Sequence, residues 1–524
     1  MAFNGAARQL ITSLAKDVTF PPQVLRIFEP NEVYEFAGEH MAASTDQSAT
    51  VIGLNRFGLG ARPGDLAMIG KHIREALLED VAAKAASVDG AGLLTSAEAF
   101  HRLRLEREEI KAMRVASADK SMQDRPDGKT TAPASLVNPE SAGMKAEAQA
   151  KNPLRRIVRD TFQAETLARL EAAKQAKTGF AERLALFWSN HFCISARKAG
   201  VVRIMAGAYE REAIRPHVFG RFVDILLAVE EHPAMLVYLD NEQSMGPKSP
   251  GGQRQQKGLN ENFAREIMEL HTLGVDGGYT QEDVTSLARV LTGWRFARKE
   301  GPLGDEGRFV FNPNLHEPGI QRVMGIVYQD GGRSQGEEAL RALARHPATA
   351  RHIARKLTAH FVGGGPESAL AGRLEKVFRD TEGDLSAVSR ALIEAPESWT
   401  KEPSKLRTPY EFLAALVRAT GVAMKALQVN GALNSMGQPL WSPPGPNGFP
   451  DENSAWLSPE GVKARLDFSA RLAQSVEGQN SPSQLLDEII GPTASDETRT
   501  AVARAQSRAQ GFALLLMSPE FQRR

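Results

Sequence analysis

Apolar residues recur three and four positions apart through most of this chain, and that period commits it to helices. The pattern is plain in GDLAMIGKHIREAL (64–77) and SAEAFHRLRLEREEIKAM (96–113). It returns over 153–242, 259–297 and 335–425, and two final helices are expected at about 458–475 and 496–517. A repeat near 3.6 gathers apolar positions into one stripe of a helix, which must then be covered by another element. Only GRFVFNPNLHEPGIQRVMGIVY (307–328) combines β-branched residues with turn signals, and it predicts one or two small strands. The expected fold class is mainly α: a large, bundle-like multi-helix domain with long loops and at most a small β element. Abundant Ala, Leu, Arg and Glu, with aromatics at 6%, fit that class because such side chains lose little freedom in a helix.

Three stretches break the helical pattern. Residues 117–152, rich in Pro, Gly, Ser, Lys and Asp, cannot bury enough apolar surface to offset ordering and read as a flexible low-complexity insertion. They divide an N-terminal helical region, 1–116, from the main helical domain, 153–524. Residues 241–258 (NEQSMGPKSPGGQRQQKG) read as a long surface loop. The Pro/Gly-rich stretch 433–456 carries aromatics and reads as an ordered loop. At 524 residues the chain exceeds the size at which one core usually keeps growing, so two or more packed sub-domains are expected.

Several functional classes find no support. Lys+Arg 64 against Asp+Glu 63 leaves a net charge of +1, without a global field to draw the chain to nucleic acid or anionic lipid. A single cysteine, Cys193, allows no internal disulfide and no thiolate zinc site. HExxH, GxSxG, GxxxxGK[ST] and a strand-following GxGxxG do not occur. No apolar run is long enough to span a bilayer, and the start lacks the apolar stretch of a signal peptide. The expected location is the cytoplasm, with co-export by a signal-bearing partner as the alternative.

The richest segment is NENFAREIMELHTLGVDGGYTQEDVTSLARVLTGW (260–294). Asn260 can cap its first helix and Gly274 can terminate it. Thr280 and Asp283 form a near capping box for the second helix, which stops at Gly293. The tight turn between them suits an antiparallel helical hairpin. At 3.6 residues per turn, Asn262, Glu266 and Glu269 share a polar stripe that Arg265 borders, and Arg265 can pair with Glu269. Two carboxylates oriented by an arginine are what a helix-borne metal site or acid/base pair requires, although a solvated face looks the same.

GFAERLALFWSNHFCIS (179–195) is apolar nearly all round and should be buried, so His191 must hydrogen-bond or ligate. Cys193 points to another side and reads as a small buried hydrophobe. His232 and His346 each precede a proline that opens a helix. His352 and His360, inside the helix after His346, read as structural or exposed. His316 and Glu317 fall in a loop, where side chains are freely presented. Trp441, Phe449 and Trp456 can stack on a glycan or simply cover the helices, and covering is the simpler reading.

FWSNHF, HPAMLVYLDN, the whole 260–294 block, HPATARHIARKLTAHFV, MGQPLWSPPGPNGF and SPEFQ together resemble the bacterial family called domain of unknown function 1800. The match runs in order from Asn55 to Arg523. The resemblance implies a predominantly helical protein and a neighbouring-gene partner of a second family, domain of unknown function 1501, often exported. Its polar signature falls on His191, Asn260, Asn262, Arg265, Glu266, Glu269, Asp283, Arg289, Trp294 and His316. Glu317 replaces a usual Asp, and Phe449 stands in a usual Trp place.

Two functions compete on this basis. One is a metal-dependent enzyme in which His191, Glu266, Glu269 and His316 bind Fe, Mn or Zn, with Glu266, Glu269 and Arg265 as the catalytic set. The other is a non-catalytic partner or assembly protein of a two-protein cell-envelope system, its polar stripe a packing network.

Overall fold

Serine, threonine and histidine side chains start many of the helices, with proline in the first turn. Thr408–Pro409, Ser458–Pro459, Ser481–Pro482 and Ser518–Pro519 all follow this rule. His232 and His346 do the same with Nδ1, which accepts the N–H of Ala234 and of Ala348. A side-chain acceptor answers an orphan N–H where proline has none to offer. This computed structural model describes residues 44–123 and 153–524, apart from 84, 85, 89, 91, 256, 257, 364–367, 401–404 and 477–479.

The fold is mainly α. Five helices place the chemistry discussed below: α1 (Phe180–His191), α2 (Asn262–Glu266), α3 (Gln281–Val290), α4 (Pro347–Phe361) and α5 (Pro409–Thr420). The small β element consists of two antiparallel pairs, β1 (Trp294–Phe296) with β2 (Phe309–Phe311), and β3 (Gln321–Val323) with β4 (Ile326–Tyr328). Trp294 faces Phe311, and Gln321 faces Tyr328.

Apolar faces from both ends of the chain meet in one continuous core. Phe57 packs edge-on to Phe180 at 5.8 Å and lies 6.1 Å from Phe361. The helices of 44–123 therefore share the core of 153–524 instead of forming a sub-domain of their own. Helix Ser96–Gln123 runs through the expected boundary at 116, and 124–152 lie outside the described residues, as do 1–43. Charge is buried with the core. Glu411 is gripped by Arg183 and Arg524, while Glu210 is held by Arg169 and Arg215.

One loop reading and one helix count change. The 241–258 stretch contains the short helix Pro250–Gln255, and it is drawn inward because Asn241 Nδ2 donates to Leu291 O and Trp294 O, at 3.2 and 3.1 Å. Near the end of the chain, four helices replace the expected two: Pro459–Ala473, Pro482–Ile489, Asp496–Ala503 and Arg508–Leu516. Ser495 and Ser507 each cap a fresh start there. No helix among the described residues is long and apolar enough to cross a membrane.

Candidate active-site cleft

The polar stripe expected on 260–273 is broken by a change of pitch. Asn260 Oδ1 accepts the Asn262 N–H at 3.0 Å, the α-helix runs only to Glu266, and Ile267–His271 continue as a π-helical turn. A π turn inserts an extra residue per turn, so positions beyond it rotate away from the α-helical stripe. Glu269 accordingly turns to Arg265, at 3.6 Å, and to the Tyr279 hydroxyl. Glu266 stays part-buried; burial first, and then Glu269, raise its pKa against the pull of His271. Among the described residues Glu266 forms no hydrogen bond or ion pair.

The π turn ends against imidazoles. Its last carbonyls have no helical partner, and two histidines from other helices supply one each. His191 Nε2 lies 3.2 Å from His271 O, and His352 Nε2 lies 3.2 Å from Leu270 O. A carbonyl only accepts, so both rings carry their proton on Nε2. The His271 ring is itself tied to Glu230 at 2.6 Å, with both side chains fully buried. Gly274 closes the segment at φ +83, as expected of the terminating glycine.

With Nε2 committed, His191 has only Nδ1 left, and it is an acceptor. Lys356 Nζ fills it from α4 at 2.9 Å. Burial above all holds the His191 pKa well below the ordinary histidine value. A metal at His191 would have to displace one of these two partners. His316 stands apart: its Nδ1 donates to Thr292 O at 3.0 Å, in the turn after α3. Among the described residues, no three His, Cys, Asp or Glu side chains are grouped so as to hold a metal ion. The expected convergence of His191, Glu266, Glu269 and His316 is thus not the geometry found, because both nitrogens of His191 are occupied and His316 is bound to Thr292 O.

What does converge is a stripe of α4 that the sequence reading passed over. His352, Lys356 and His360 are four residues apart, and the last two open into a cleft of about 890 Å³, part of it continuous with solvent. Its walls come from α1, α4, the start of α5 and the 438–451 loop. Asn190 clamps that loop with two bonds to one residue, donating to Phe449 O at 2.9 Å and accepting from Phe449 N at 2.8 Å. Gly448 makes the approach possible, since a Cβ there would lie 2.5 Å from Asn190 O. The backbone of residue 449 is what the clamp grips, so phenylalanine serves there; its ring packs against Trp456. Cys193 donates to Gly445 O and Pro446 O, and burial pushes its thiol up to about 12, which leaves it the small buried hydrophobe expected.

At the loop's end Asp451 accepts from His360 Nδ1 at 3.1 Å. Burial would raise the Asp451 pKa, but His360, Lys405 and Arg524 outweigh it and hold the carboxylate at about 2. For His360 burial dominates over the attraction of Asp451, so the ring is neutral and its pKa lowered. Among the described residues its Nε2 is buried without a hydrogen-bond partner, 4.0 Å from Glu411. Arg524 fixes the surroundings, donating to His360 O at 2.8 Å and to Glu411 at 3.0 Å. Trp441 is buried, with Nε1 on Glu210 at 3.0 Å, so it serves the wall. Asp283 is also structural: it completes the expected capping box with Thr280 and accepts from Met324 N at 2.7 Å.

A family model described as "Protein of unknown function (DUF1800)" matches residues 52–523. No curated protein and no solved structure matches the chain.

Proposed function

We propose, for a chain that belongs to the DUF1800 family of proteins of unknown function, that it is an enzyme acting on a small molecule held in the cleft, with His360 moving the proton. One lone pair carries the reading. Among the described residues His360 Nε2 has no hydrogen-bond partner, while Asp451 occupies Nδ1. A carboxylate on one imidazole nitrogen sets the tautomer and steadies the imidazolium formed when the other takes a proton. A neutral ring at physiological pH is already in the form that accepts it. An unpaired buried nitrogen weakens packing, and sites that keep one usually use it.

In this reading Asp451 is a positioning residue, and Lys405 and Arg524 hold it and the His360 backbone in place. Lys356 presents the amine that meets the substrate. Purified chain incubated with a small-molecule extract, followed by mass spectrometry, tests the proposal. The wild type should deplete at least one compound, and His360→Asn, with unchanged circular dichroism, should do so about 100-fold or more slowly. Equal depletion by both proteins, or none by the wild type, sinks the reading.

A further inference from the structure

Lys356 is a lysine with no acid in direct contact among the described residues. Among the described residues its Nζ has one hydrogen-bond partner, the neutral ring of His191, and it forms no ion pair. An ammonium so placed loses water and gains only the field of Asp451, which makes no direct ion pair with it; burial outweighs that attraction and lowers the Lys356 pKa, which favours the amine. The direction of the bond to His191 is also fixed. Since His191 Nε2–H is committed to His271 O, Nδ1 can only accept, and Lys356 must donate. In its amine form Lys356, held by one N–H, turns its lone pair away from that ring, and Lys356 lines the cleft.

We infer that Lys356 is a nucleophile that forms an imine with an uncharged aldehyde or ketone bound in the cleft, an inference that rests on the enzymatic reading above. The absence of charge follows from the walls. Asp451 and Glu411 both line the cleft as carboxylates, and the guanidinium of Arg169 is committed to Glu210. Glu411 is itself answered by Arg183 and Arg524, so an anionic substrate would face Asp451 and meet no unengaged arginine.

The step balances without another reagent. The Nζ lone pair forms the C–N bond as the carbonyl π bond opens onto oxygen, and one N–H proton passes to that oxygen to give a carbinolamine. The hydroxyl then leaves with the second N–H proton as water, and C=N forms. Nothing is oxidised or reduced. His360, one helical turn along α4, is the group placed to move these protons.

Reductive trapping of the full-length chain tests this. Propanal and glyoxylate, each with cyanoborohydride at pH 7, are followed by peptide mapping. Propanal should modify Lys356 about tenfold or more faster than the exposed Lys376, and glyoxylate should modify Lys356 more slowly than propanal does. In Lys356→Arg that adduct should vanish while the others persist. Modification of Lys356 no faster than Lys376 overturns the imine, and a preference for glyoxylate overturns the uncharged substrate. If trapping fails while His360→Asn still abolishes turnover, only the imine falls. If trapping succeeds and His360→Asn turns over normally, His360 loses its role instead.

Discussion

Three histidines in this protein differ in which nitrogens are occupied, and their roles follow from that. His191 and His352 carry protons on Nε2 because each meets a carbonyl there, whereas His360 carries its proton on Nδ1 because Asp451 lies there. Nitrogen-15 NMR of histidine-labelled protein at neutral pH should show all three rings neutral, with His360 in the opposite tautomer to the other two. A shared tautomer, or a charged His360, removes the lone pair on which the proposed chemistry depends. Residue identity alone exposed part of this. His191 was recognisable as a buried histidine needing a partner, since its helix is apolar on every side. The partners were not, because His271 O and Lys356 come from remote segments. His360 was passed over because an isolated histidine in a helix looks structural; its spacing from Lys356 was the available signal.

At the level of elements, capping chemistry was legible and pitch was not. The Thr280–Asp283 box and the stops at Gly274 and Gly293 were readable from local residue types, and φ is +83 at both glycines. The π turn at Ile267–His271 was hidden, because it is imposed by contacts made across the fold. Gly274 shows how tightly that turn is finished. A Cβ there would approach His352 Nδ1 to 2.9 Å at a φ that disfavours any side chain. Gly274→Ala should therefore lower unfolding free energy by about 1–3 kcal/mol in urea titration. A change within about 0.3 kcal/mol would show that the turn is looser than described.

For the whole molecule, buried imidazoles make stability depend on pH well above the carboxylate range. The His352 pKa is lowered from 6.5 to about 4, chiefly by burial, and that of His191 is also held well below its ordinary value. Below pH 6.5 the unfolded chain binds protons on these rings that the folded chain does not, so stability that is full above that pH declines toward pH 4. For His352 alone the loss amounts to roughly 3 kcal/mol. Glu210, at about 2, adds a second decline as pH falls from 4.5 toward 2, because burial there is outweighed by Arg169 and Arg215. Calorimetry should show Tm dropping between pH 6.5 and 4. His352→Gln, which keeps an N–H for Leu270 O, should flatten that slope; a wild-type Tm constant over the interval contradicts the argument.

The cleft draws its walls from residues 169–209 and 356–451, and no described residue between 210 and 355 lines it. That interval contains the 260–294 block, the most recognisable text in the chain. Its contribution arrives through two backbone oxygens that set imidazoles from behind, much as a jig holds a workpiece it never cuts. Changes there would blunt the machinery by letting rings swivel, leaving every group that meets the incoming molecule unaltered in kind.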